Sequence, residues 1–196
     1  MKLQDKLPNS VTVNGKRYRL NLDFRNVLNL MDTLARDDLL PEAREYLALK
    51  CIMRKPRNVQ KVLNAVRVLL FPVTKKSADR QKITDFTQDA DLIRAAFLQV
   101  YRVNLYRDKL HWLEFSALLS GLPDGNRYSD VLGIRTRPMP KPTKFNAEER
   151  QWLAKAKAEL AVRMTKEEQE HSLNESLRNV AISLLALADK GGGEHG

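Results

Sequence analysis

The chain has 196 residues, enough for one sizeable core or for one domain plus an appendage. Its content is 43% hydrophobic and 30% charged, the mix of a globular protein, and no apolar run approaches the roughly 18 residues that span a bilayer. One cysteine, Cys51, excludes an internal disulfide and a cysteine-rich zinc site, and the start Met1–Lys6 lacks a signal-peptide core. A cytosolic compartment is the expectation.

The net charge of +10 is unevenly spread: residues 1–88 carry 18 Lys/Arg against nine Asp/Glu, 89–140 seven against six, and 141–196 nine against nine. The basic half is open to two readings, a nucleic-acid-binding module or a solvated face that meets an acidic partner. It has no aromatic-interleaved basic motif and no DNA-binding pattern, which favours the second.

In chain order, Val11–Val13, Asn14-Gly15 and the alternation of Tyr18, Leu20 and Leu22 with Arg17, Arg19 and Asn21 predict a β-hairpin with a type I′ turn. Asp23 then caps a helix striped by Phe24, Val27, Leu28 and Met31. Pro41 opens a second helix, with Glu42 and Glu45 early and Tyr46, Leu49 and Met53 as its face. Pro56 interrupts. A third helix carries Val59, Val62, Leu63, Val66, Leu69 and Leu70 up to Pro72, and Arg54, Lys55, Arg57 and Lys61 cluster at the junction. Val73–Lys82 reads as a polar connector.

The centre is a helix pair. Ile93, Ala96, Phe97 and Val100 form one stripe; His111, Phe115, Leu118 and Leu122 share a face of the next helix, widened by Trp112 and Leu119. Gly121 is expected as a left-handed C-terminal residue, and Pro123 stops the helix. Arg135–Pro142 is a linker with prolines at 138, 140 and 142. Asn146–Glu149 caps a helix with Trp152, Leu153, Ala156 and Leu160, and Leu173, Leu177, Val180 and Leu184 belong to a last apolar stripe before a glycine-rich end. The expected organisation is 1–137 helical domain with hairpin, 138–145 linker, 146–189 C-terminal helical segment and 190–196 tail.

The search for chemistry yields little. Asp85, Asp89 and Asp91 lack the glycine and terminal glutamate of a calcium loop, and Asp89 and Asp91 fit the first turn of a helix better. There is no phosphate-binding glycine loop, and Ser116 and Ser120 lack a nucleophile-elbow context. Cys51 reads as a buried small hydrophobe. His111 could act as an acid/base or a ligand. It is read instead as a core histidine hydrogen-bonded to backbone, since no second His, Cys or clustered carboxylate joins it. The expectation is a mainly α, non-catalytic protein without cofactor or metal.

Two separated motifs carry a resemblance. Leu7-Pro8, Val11, Val13-Asn14-Gly15, Tyr18 and Asp23-Phe24-Arg25 open it. Phe97, Tyr101, Leu110-His111-Trp112, Phe115 and Gly121-Leu122-Pro123 continue it. In this order they resemble the bacteriophage gene-product-fifteen family over residues about 7–137. Asn104 stands where the family pattern leads one to expect an aspartate. The resemblance implies a tail-region protein encoded before the tape-measure gene, in the cytoplasm of an infected or lysogenic bacterial host. It implies a tail assembly chaperone that holds the tape-measure protein or tail-tube subunits and that can self-associate, with no membrane partner. It also implies that the motif residues serve structure or partner binding. By its own apolar pattern, the stripe Leu173, Leu177, Val180 and Leu184 either docks on the core or supplies a further partner contact. A tail-completion protein of the virion is the other reading within the same family.

Overall fold

In the computed structural model, residues 4–71 and 83–162 are described. Among them the fold is mainly α. An antiparallel hairpin, β1 (Ser10–Val13) and β2 (Lys16–Arg19), precedes α1 (Phe24–Leu34), α2 (Pro41–Ile52) and α3 (Val59–Leu70). After the gap follow α4 (Ala90–Tyr101), α5 (Trp112–Ser120), α6 (Arg127–Thr136) and α7 (Ala147–Leu160). The expected connector Val73–Lys82 lies wholly outside the described residues, as do Pro72, the stripe at Leu173, Leu177, Val180 and Leu184, and the 190–196 tail.

The hairpin turns on Asn14 and Gly15 at φ 51° and 71°, the two positive values that a type I′ turn requires. Val13 pairs with Lys16 and Val11 with Tyr18, so Val11, Val13, Tyr18, Leu20 and Leu22 face the core. Asp23 caps α1, its carboxylate accepting from the Arg25 N–H at 3.0 Å. α1 packs on α2 and α5, α3 closes over β1, and Val27, Leu49, Leu63 and Phe97 are fully buried where these layers meet.

Several expectations shift. Tyr46 is exposed, because Ala48, Leu49 and Ile52 form the buried face of α2, and Met53 lies just past the helix in extended conformation. Cys51 is half-buried, beside the Thr33 hydroxyl. Gly121 is not left-handed: at φ −95° and ψ 8° it continues the last turn of α5, its N–H donating to the Ala117 and Leu118 carbonyls. Its lack of a Cβ still matters, since one there would sit 3.3 Å from the Ala117 carbonyl oxygen and 3.7 Å from the Tyr101 hydroxyl. The left-handed cap falls instead on Arg102, which ends α4 at φ 60°. His111 does not lie within α5 but caps it.

The first compact unit runs to Leu160. α7 packs on α6 with Leu153 fully buried, and the proline segment between them is tied back by the Arg150 guanidinium on the Pro140 carbonyl.

Candidate functional site

The two motif segments, far apart in sequence, meet through the main chain. The Trp112 N–H donates to the Leu22 carbonyl at 2.8 Å and the Phe24 N–H to the Leu110 carbonyl at 3.0 Å. Asp23 and His111 thus face each other across an isolated antiparallel bridge, and each caps the helix that follows it. His111 Nδ1 accepts from the Leu113 N–H at 3.1 Å, which leaves the proton on Nε2, and Nε2 donates to the Pro8 carbonyl at 2.9 Å. Both ring nitrogens are therefore engaged with backbone, as the residue pattern led us to expect.

Below the bridge lies an aromatic stack. Phe24 and Phe115 are parallel at 4.7 Å, Phe97 follows at 5.2 Å from Phe115, and Trp112 leans on Phe115 at 5.8 Å. Trp112 donates its indole N–H to the Leu70 carbonyl, and Tyr101 its hydroxyl to the Leu118 carbonyl. Leu110 is buried and Leu122 half-buried against this core. The Pro123 carbonyl receives the Asn126 amide and the Ser129 hydroxyl, which fixes the entry into α6. Asp23, Phe24, Phe97, Tyr101, His111, Trp112 and Phe115 thus meet at this junction, and Leu110 and Leu122 pack against it.

Arg25 points outward from the same place. Its guanidinium grips both Asp23 oxygens, covers the Phe24 ring at 4.6 Å, and donates to the Leu105 and Asp108 carbonyls at 2.7 and 2.9 Å. That clamp shapes residues 103–108 into one wall of a groove; α1 and α4 form the other walls. The groove encloses about 280 Å³ and has Phe24, Leu28, Phe86, Ile93 and Phe115 as its apolar lining. Asp32, Arg25 and Arg94 bring charge to it, and partial burial, with Asp85 adding to it, pushes the Asp32 carboxyl above the usual carboxylate range. The Arg94 guanidinium lies 4.6 Å over the Tyr106 ring, and a second hollow of about 340 Å³ shares Arg94, Leu105 and Tyr106. Leu98 and Tyr106 are 50% and 70% exposed at this rim.

Sequence reasoning missed the most deeply buried ion pair among the described residues. Arg135 donates to both Asp89 oxygens at 2.7 and 2.8 Å, with side chains 7% and 1% exposed. The same guanidinium reaches the Leu160 and Ile83 carbonyls, joining α4, α6 and the end of α7. Asp89 does sit at the head of α4, as its position predicted, but it caps no N–H of that helix; it accepts from the Asp85 N–H. Nothing local marks the pairing, since 46 residues separate the partners.

Among the described residues no group of three His, Cys, Asp or Glu side chains is placed to hold a metal ion, and no helix is long and apolar enough to cross a membrane. The arrangement offers apolar pockets, a charged rim and donors already committed to backbone. No curated protein and no solved structure matches the chain. The Bacteriophage Gp15 protein family does match, over residues 3–162, and the two motifs that build the buried junction lie inside that span: the chain belongs to this family of bacteriophage proteins.

Proposed function

We propose that this protein is a non-catalytic tail-assembly chaperone that binds the tape-measure protein, tail-tube subunits, or both, in the cytoplasm of the host bacterium. The observation that carries the reading is the groove between α1, α4 and residues 103–108. It is open and apolar at its floor, and edged by Arg25, Arg94 and Asp32. Apolar side chains spaced along one face of a client helix fit such a surface, and a charged rim keeps the contact reversible. Catalysis has no support from the motif residues, because His111 spends both nitrogens, and Asp23 and Arg25 most of their capacity, on internal bonds. By its sequence pattern the stripe Leu173, Leu177, Val180 and Leu184 supplies a second client contact or a self-association face.

The test is co-expression with the cognate tape-measure protein. Leu98→Asp with Tyr106→Ser alters the exposed rim and leaves the core untouched. The expected result is a folded protein that no longer keeps the client soluble, and Leu177→Asp with Leu184→Asp is expected to weaken the same activity. Full client solubility with both double variants would defeat the proposal. So would finding the chain as a stoichiometric component of purified particles, which would make it a structural tail-completion protein.

A further inference from the structure

The hairpin carries an open, basic edge that neither the junction nor the groove uses. Its pairing fixes which main-chain groups point where. Val13 faces Lys16, Val11 faces Tyr18, and the Leu20 N–H continues the ladder to the Asn9 carbonyl at 2.8 Å. Even-numbered residues of β2 therefore bond to β1, and Arg17 and Arg19 turn their N–H and C=O groups to the other side. Asn21, next in that series, shows what this side accepts. Its N–H donates to the Ile52 carbonyl at 2.7 Å, where the chain leaves α2 in an extended stretch with Met53 at φ −151° and ψ 151°. Among the described residues the main-chain groups of Arg17 and Arg19 have no such partner.

The side chains around this edge are of one sign. A hollow of about 600 Å³ at its end is lined by Arg19, Lys50, Arg54 and Lys55, with no acidic residue, over a floor of Leu20, Ile52 and Met53. Arg17 and Arg19 are exposed on the face opposite the buried Tyr18.

We propose that the outer edge of β2 is a docking site for an acidic, extended segment of a partner protein, which adds a strand beside Arg17 and Arg19 and lays its carboxylates against Arg19, Arg54 and Lys55. Main-chain pairing supplies the affinity and the basic hollow the selectivity. Two rival occupants fit less well. A second copy would bring the same basic edge against itself, and like charges facing across a strand pair repel. A nucleic acid would satisfy the cations but not the outward carbonyls of Arg17 and Arg19, because phosphate oxygens only accept, and none of the residues lining the hollow is aromatic to stack a base. This inference does not depend on the groove or on the chaperone reading.

The experiment uses the full chain and three labelled probes: a short peptide alternating Glu and Val, its Lys-Val counterpart, and a single-stranded DNA oligonucleotide. Fluorescence anisotropy is expected to show binding of the Glu-Val peptide alone. Amide exchange is expected to slow at Arg17 and Arg19 when that peptide is bound. Arg19→Glu with Lys55→Glu should weaken binding at least about tenfold, whereas Lys141→Glu, an equal charge change on an exposed residue of the proline segment, should not. Should the charge-reversed protein unfold, Arg54→Ala with Lys55→Ala probes the same hollow more mildly and should still weaken binding. Unchanged exchange at Arg17 and Arg19 in the bound state overturns the strand-addition geometry. Preferential binding of the oligonucleotide, lost in the same variants, would assign the surface to nucleic acid and overturn the proposal.

Discussion

Two carboxylate–arginine pairs, Asp23–Arg25 and Asp89–Arg135, brace this fold in different ways. Asp23–Arg25 is local and partly open to solvent, with side chains 36% (Arg25) and 17% (Asp23) exposed. Its energy comes less from the pair than from what each partner also does: Asp23 caps α1, and Arg25 ties residues 103–108 to the motif junction. Asp89–Arg135 is buried and bidentate, and it spans three helices. A buried pair contributes little relative to well-packed apolar residues, yet breaking it strands a charge without solvent. The first pair braces the wall of the groove, and the second ties the head of α4, α6 and the end of α7 together.

The largest effect is therefore expected at Arg135. Arg135→Ala leaves the buried Asp89 carboxylate with, among the described residues, the Asp85 N–H as its donor, and removes the bonds to the Ile83 and Leu160 carbonyls. A loss of about 3–5 kcal/mol is expected from denaturant unfolding. Asp89→Asn in the same background should recover part of it, because the orphaned charge is gone. If Arg135→Ala unfolds at the same denaturant midpoint as the parent, the latch is not structural.

At the junction, Asp23→Ala is expected to cost about 1 kcal/mol for the lost cap. It should also loosen Arg25, so faster amide exchange at residues 104–108 is the sharper readout. His111→Gln tests the other half of the bridge. Glutamine can still reach the Pro8 carbonyl but is a poor cap, so a loss of about 1 kcal/mol with retained client binding is expected. A folded His111→Gln protein that loses all client binding would return this histidine to a direct functional role.

The same contrast explains what was legible beforehand. Asn14-Gly15, Asp23 and Pro41 announced a turn and two helix starts because their chemistry acts within a few residues. The motif residues could be placed in a buried core because apolar periodicity marks a face. The bridge between Asp23 and His111 was not visible, although each was singled out, since pairing depends on how the helices cross. His111 itself was placed one position too deep: as the cap of α5 it begins the helical face instead of sharing it. Asp89 read as an ordinary first-turn residue, and Arg135 as part of a linker, because a contact across 46 residues leaves no local pattern. Tyr46 misled because it falls at the same helical spacing as Leu49 while pointing to solvent. The groove was invisible for a related reason: its walls come from α1, α4 and a loop held in place by Arg25.

The smallest expected effect lies in that groove. Partial burial, with Asp85 adding repulsion, raises the Asp32 carboxyl above its ordinary value. The folded protein thus holds the Asp32 proton more tightly than the unfolded chain does. Above the raised value the buried charge is a standing cost. Between the ordinary and raised values, stability from this group falls as pH rises, and below the ordinary value the cost is gone. Asp32→Asn removes the titration, so at neutral pH it should be neutral or slightly stabilising. The parent-minus-variant difference in unfolding free energy should shrink as the solution is acidified through the carboxylate range. Taking the difference cancels the carboxylates that do not interact with Asp32. A variant that is clearly less stable than the parent at neutral pH would mean that Asp32 makes a favourable contact its raised value conceals. Client binding gives the sharper version. In the acid range where Asp32 is partly protonated, a client that sets a lysine or arginine beside it lowers the carboxyl again and releases protons on binding. Calorimetry in buffers of different ionisation enthalpy would read that release, and an apolar client would give none.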